Sequence, residues 1–323
     1  MGKRAVLGAV VAAVAVLGGC ATTVSGTPVP VSEKDRKPSV INAKDVLGDY
    51  QSIDACSLIE PDTFKEFGAA EYAYHYSLDY CEVEVSESAG PVYLSAGQLF
   101  PLRTVRKNIT GPPLDELDGD LWVGQGADEK ERCVQYVVFA DDVAMAVDAY
   151  IYDDHASDQL CTMVESAVKG VVDVLTNGTV RHRDLDKDSF ARLDACDVVP
   201  KGAVEDVPLL AGLSEEKSLS GHFCRWNGDT EDGPELNITF GTDQPGDGAD
   251  EGQTSDIDGR STLTTLKDTW CEVKTEHIPV DTEGKDDGYV EVASVTVYGS
   301  GGNEMCQAAT MVATEVWPEL PES

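Results

Sequence analysis

Apolar positions at helical spacing recur twice along the chain. Leu160, Val164, Val168, Val171 and Leu175 form one stripe, which predicts a helix with Ser157 as N-cap and Asn177-Gly178 as its stop. Met305, Ala309, Val312 and Val316 form a second stripe, ended by Pro318. Elsewhere the period is two. Cys81-Glu82-Val83-Glu84-Val85 alternates like a half-buried strand, as do Leu236, Ile238 and Phe240. Cys133 to Ala140 and Val143 to Tyr152 predict a hairpin across Asp141-Asp142. Trp270 to Ile278 and Tyr289 to Tyr298 predict another, with a longer acidic loop. Proline near a helix start predicts short helices over Pro61–Phe67 and Pro200–Val207. The expected fold class is α+β, an antiparallel sheet carrying a C-terminal helix, built twice.

The cysteines sharpen that duplication. Cys56, Cys81, Cys133 and Cys161 are spaced like Cys196, Cys224, Cys271 and Cys306, and the flanks repeat with them. Ile53-Asp54-Ala55-Cys56 answers Leu193-Asp194-Ala195-Cys196, and Tyr80-Cys81 answers Phe223-Cys224. Gly90-Pro91 and Gly233-Pro234 each open a strand-like segment. Two tandem repeats are expected, at 51–177 and 190–320, joined by a polar linker at 178–189. Eight cysteines in an exported chain predict a disulfide framework. Three pairing schemes exist within each repeat. First-with-second and third-with-fourth is favoured: Cys56–Cys81, Cys133–Cys161, Cys196–Cys224 and Cys271–Cys306. The sequence contains no CxxC, which argues against a redox or metal role.

The ninth cysteine has another use. Lys3 and Arg4 precede an uncharged run from Ala5 to Gly19, too short for a membrane span but suited to a signal peptide. Leu17-Gly18-Gly19-Cys20 fits a lipobox, so residues 1–19 read as a lipoprotein signal peptide and Cys20 as the lipid-bearing residue. Residues 20–50, rich in Thr, Ser, Val and Pro, then read as a disordered tether. Two acyl chains at Cys20 would anchor stably where one would not. The expected location is the extracytoplasmic face of a cell membrane.

Charge narrows the partners. The 323 residues hold 59 acidic and 24 basic side chains, a formal net charge of −35. Nucleic acid and anionic headgroups are excluded as partners; divalent cations and basic protein surfaces are compatible. Asp184-Leu185-Asp186-Lys187-Asp188-Ser189 offers the first three ligand positions of a calcium loop but lacks its glycine and its closing glutamate, so at most weak divalent cation binding is expected. Asp243 to Asp258, rich in Gly and Asp, reads as a flexible insertion. His75, His155, His182, His222 and His277 share no metal spacing, and no nucleophile elbow, P-loop or dinucleotide fingerprint is present. Trp122, Trp226, Trp270 and Trp317 are expected in the core rather than lining a cleft.

Asp54-Ala55-Cys56-Ser57-Leu58-Ile59-Glu60-Pro61, followed by a strand opening on Cys81-Glu82, resembles actinobacterial lipoproteins that carry a small domain of unknown function opening "D-P-C-S-L-L-T-P". Asp194-Ala195-Cys196 with Cys224-Arg225-Trp226 is a looser copy, and both have Ala where that family has Pro. The four-cysteine layout is also similar to extracytoplasmic sensor domains of actinobacterial serine/threonine kinases, which implies a sheet with a ligand cleft. No catalytic residues come with the resemblance.

The expected function is therefore a membrane-anchored, non-enzymatic module binding an unknown ligand or envelope protein, with no cofactor, metal site or catalytic residue. Two other readings stand beside it: a cell-envelope hydrolase or carbohydrate-active enzyme, and a structural spacer. A Ser–His pair in contact, or two carboxylates at catalytic separation in a cleft, would point to the enzyme.

Overall fold

The period-two segments become two antiparallel sheets. In the first half β1 (Ala69–Tyr72), β2 (Cys81–Ser86), β3 (Pro91–Pro101), β4 (Trp122–Asp128), β5 (Arg132–Val138) and β6 (Val143–Tyr150) lie in the order β1-β2-β3-β6-β5-β4. The second half contains β7 (Ser214–Lys217), β8 (Phe223–Asn227), β9 (Glu235–Asp243), β10 (Gln253–Ile257), β11 (Arg260–Leu266), β12 (Trp270–Pro279) and β13 (Val290–Tyr298). Their order is β7-β8-β9-β13-β12-β11-β10. Without the extra edge strand β10, the two orders coincide strand for strand. The structure, a computed structural model, describes residues 41–73, 77–88, 90–110, 121–152, 158–228, 230, 233–280 and 288–322. Cys20, Ser157, His75 and His155 lie outside the described residues, as does most of the acidic loop between β12 and β13.

Four α-helices accompany the sheets among the described residues: α1 (Ala43–Leu47), α2 (Leu102–Val105), α3 (Leu160–Asn177) and α4 (Asn303–Val316). None is long and apolar enough to cross a membrane. The predicted stripes are the buried faces of α3 and α4. The α3 stripe shares the first core with Val83, Val85, Leu94 and Val147, and the α4 stripe shares the second with Ile238, Val273, Val295 and Val297. Gly178, with φ of +64°, takes the left-handed position that ends α3, where a β-carbon would be strained. A smaller cluster around Val134, Tyr136 and Val138 fills the other face of the first sheet under α2.

All four favoured disulfides are present, with Cα separations of 4.9 Å for Cys56–Cys81, 5.3 Å for Cys133–Cys161, and 5.1 Å for both Cys196–Cys224 and Cys271–Cys306. Cys161 and Cys306 sit in the first turns of α3 and α4. The bridges therefore fasten each helix start to β5 or β12.

Three expectations are corrected. Residues 41–50 belong to the folded first half rather than to a tether: Ala43 and Leu47 are fully buried in the first core, and the Asp141 carboxylate accepts the Ala43 amide at 2.8 Å. Two apolar residues one turn apart are too few to register as a period. Pro61–Phe64 is a single 3-10 turn, and Pro200–Val207 is a chain of turns whose amides bond three or four residues back, burying Val204 and Val207 without a continuous helix. The Asp/Gly-rich insertion supplies β10. Asp258 and Gly259, with φ of +52° and +77°, make the two-residue hairpin turn that pairs Ile257 with Arg260. The polar linker at 178–189 is bonded to both halves: Arg181 O accepts from Asp54 N at 3.0 Å and Arg183 N donates to Ser52 O at 2.7 Å, while Leu185 packs against the second core.

Candidate functional site

Residues 38–323 form one compact unit, so the two halves share an interface. The segments before each second cysteine build it. Leu78 is buried in the second core, while Leu219 packs against the first. Beside them the Asp79 carboxylate meets His222 Nδ1 at 2.6 Å, and His222 Nε2 lies 2.9 Å from Ala191 O. Gln51 donates to Leu193 O at 3.0 Å, and Ser77 forms a β-bridge with Gly241 on β9.

Next to this seam lies a cleft of 680 Å³ bounded by residues 54–56, Glu60, Tyr72, the segment 77–80, the segment 181–189 and the adjoining ends of β9, β12 and β13. Its floor is polar and buried. Glu291 accepts from Ser189 Oγ and, at 2.6 Å, from Phe190 N. Arg183 donates to Leu78 O at 2.5 Å, and its Nε has no partner. Burial pushes the Arg183 guanidinium below its ordinary value, opposed by the charges of Asp79, Asp54 and Glu291. Glu60, Asp184 and Asp186 stand exposed at the rim. Tyr72, Tyr80 and Ile278 contribute ring and aliphatic wall. Burial, with Glu82 nearby, pushes the Tyr80 hydroxyl up to about 12, so it remains a donor at neutral pH. This chemistry suits holding a polar molecule: a half-buried cation, fixed hydroxyls and an acidic mouth.

Not every residue singled out in the sequence gathers here. Cys56, bonded to Cys81, touches the cleft; the other three disulfides do not line it. Cys196, Cys224 and Glu215 converge as a metal triad would, but the two sulfurs are joined to each other and offer no thiolate. In the loop Asp184–Ser189, the Asp186 carboxylate accepts from Asp188 N at 3.0 Å, and Ser189 turns inward to Glu291. Trp226 and Trp317 are core residues. Trp122 packs half-buried on the small cluster under α2, and Trp270 lines a shallow, open depression at the β11–β12 turn, away from the seam. His277 stacks on Phe190 at 4.1 Å. One hydrogen bond between a serine hydroxyl and an imidazole exists among the described residues: Ser52 Oγ lies 2.9 Å from His182 Nδ1. The acid beside it, Asp49, bonds the serine at 3.1 Å rather than the imidazole, so the order of a serine–histidine–acid relay is not met. Arg183 and Glu291 were missed in the sequence. The only signal was Arg181-His182-Arg183, a basic run in an acidic chain.

No family model matches the chain, and no curated protein does. Among solved structures, the crystal structure of the di-domain ARO/CYC StfQ from the steffimycin biosynthetic pathway aligns over 87% of this chain and 94% of that one at 11% identity. Its TM-score of 0.18 is too low to carry any argument about fold or chemistry.

Proposed function

We propose that this protein is a lipoprotein held by lipid on Cys20 at the extracytoplasmic face of a membrane, and that its two halves, tandem copies of one α+β unit, bind a ligand or partner in the cleft between them without altering it. The cleft carries this reading. It combines a half-buried, incompletely satisfied arginine with an acidic rim, and it is formed by both halves together. The duplication is supported by the shared strand order, the matching disulfides and the matching turns in which Asp54 and Asp194 accept from the amides of Cys56 and Cys196. The lipobox before Cys20 and the acidic charge support the location.

Hydrogen–deuterium exchange tests the binding role. The purified chain is compared before and after incubation with an envelope extract. Slowed exchange confined to 77–80, 181–186 and 278–280 supports it; protection elsewhere, or none, rejects it. A Cys20→Ala chain should leave the membrane fraction, and one that stays there would refute the lipid anchor.

The Ser52–His182 contact favours a second reading, an envelope hydrolase. Labelling by a fluorophosphonate that Ser52→Ala abolishes would establish it; unlabelled native protein would end it.

A further inference from the structure

Arg183 is a half-buried cation whose donors the protein leaves mostly unused. A guanidinium carries five N–H donors in a fixed fork. Here Nη2 reaches Leu78 O, while Nε is shut from solvent without an acceptor. Three carboxylates lie near enough to bear on its charge, yet each is engaged elsewhere. Asp54 takes Arg181 and the Cys56 amide, Asp79 takes His222, and Glu291 takes Ser189 and Phe190 N. Protein interiors rarely leave such a group unmet, and a water, an ion or a ligand ordinarily completes it. Part of Arg183 remains open, and that part lines the cleft.

The rest of the lining selects among ligands. Five carboxylates, from Asp54, Glu60, Asp184, Asp186 and Glu291, face two guanidinium groups, from Arg181 and Arg183. A simple anion would be repelled by the mouth before reaching the floor. A simple cation would be held at the mouth and leave Arg183 unmet. Given that the cleft is a ligand site, we infer that it takes a small zwitterion, an amino acid or short peptide. The carboxylate meets Arg183, and the ammonium group faces Glu60, Asp184 and Asp186. A carboxylate matches the guanidinium fork in a way few other groups do. A volume of 680 Å³ lies within the usual range for small-molecule sites.

Calorimetric titration of the full chain with the free L-amino acids and with dialanine at millimolar concentration tests this. At least one zwitterion should bind, and blocking its amine by acetylation or its carboxyl by amidation should each weaken binding by about tenfold or more. Arg183→Gln should abolish binding. Because that change also breaks the bond to Leu78 O, the exposed pair Asp184→Asn and Asp186→Asn serves as a second variant, expected to weaken the zwitterion but not its acetylated form. No binding by any zwitterion, or equal binding of the capped forms, overturns the inference. If an envelope component still protects 77–80 and 181–186 from exchange in that case, the cleft remains a binding site for another class of ligand. If nothing protects them, both readings fall together.

Discussion

Asp79 and His222 occupy the same position in the two halves, two residues before the second cysteine, and are hydrogen-bonded to each other at 2.6 Å. The contact therefore ties the segment before Cys81 to the segment before Cys224. Because His222 is buried and its other nitrogen faces Ala191 O, removing the carboxylate leaves the ring short of a partner. Asp79→Ala should cost about 1–3 kcal/mol in urea unfolding. His222→Ala should cost a similar amount, and the double variant less than the sum of the two. Additive losses would show that the pair does not couple the halves.

The disulfides fasten each helix start to its sheet, so their loss should act locally. Opening Cys133–Cys161 by Ala substitution at both positions removes a cross-link spanning 28 residues, worth roughly 3–4 kcal/mol on the chain-entropy model. Exchange of amides in the first turns of α3 should rise more than in α4. Peptide mapping without reduction should recover Cys133 linked to Cys161; a Cys56–Cys133 peptide would contradict the arrangement.

Two carboxyl groups oppose the folded state at neutral pH. Burial raises Glu82, although its hydrogen bond from Tyr150 pulls the other way. Burial also raises Glu272, although Lys274 opposes it. A carboxyl raised on folding binds its proton more tightly in the native state. Its contribution is therefore fully present below the usual 4.5 and is lost as pH climbs through the raised value. Glu82→Gln keeps an acceptor for Tyr150 and removes the charge. Its unfolding midpoint should match the parent below pH 4.5 and exceed it at neutral pH. A parallel pH dependence in both proteins would count against the burial argument.

The parts legible in the sequence were those with long periods or fixed spacing. The α3 and α4 stripes, the β5–β6 and β12–β13 hairpins and the cysteine pairs each rest on several residues that agree. The edge strands escaped. Ser214–Lys217 is exposed along its whole length and so has no apolar alternation to detect. The turn at Asp258-Gly259 did carry a hairpin signal, but the surrounding acidity masked it. The cleft was illegible for a different reason. Arg183 and Glu291 stand 108 positions apart in sequence and meet only because the segment after α3 runs back across the first half. No local pattern encodes that meeting.

Leu47 tests whether residues 41–50 belong to the folded first half. Composition assigns it to a tether, but in the structure its side chain is fully buried among the residues of the first core. The short helix that carries it is held from outside, because the β5–β6 turn presents Asp141 to the amides of Ala43 and Lys44 at 2.8 and 3.3 Å. Truncating a fully buried leucine leaves a cavity and typically costs about 2–5 kcal/mol, whereas the same change in a tether costs nothing measurable. Leu47→Ala should therefore lower the urea midpoint, with Asp141→Ala producing a smaller loss in the same direction. A chain beginning at residue 51 should be less stable than one beginning at 41. Equal stability of those two chains would return residues 41–50 to the tether.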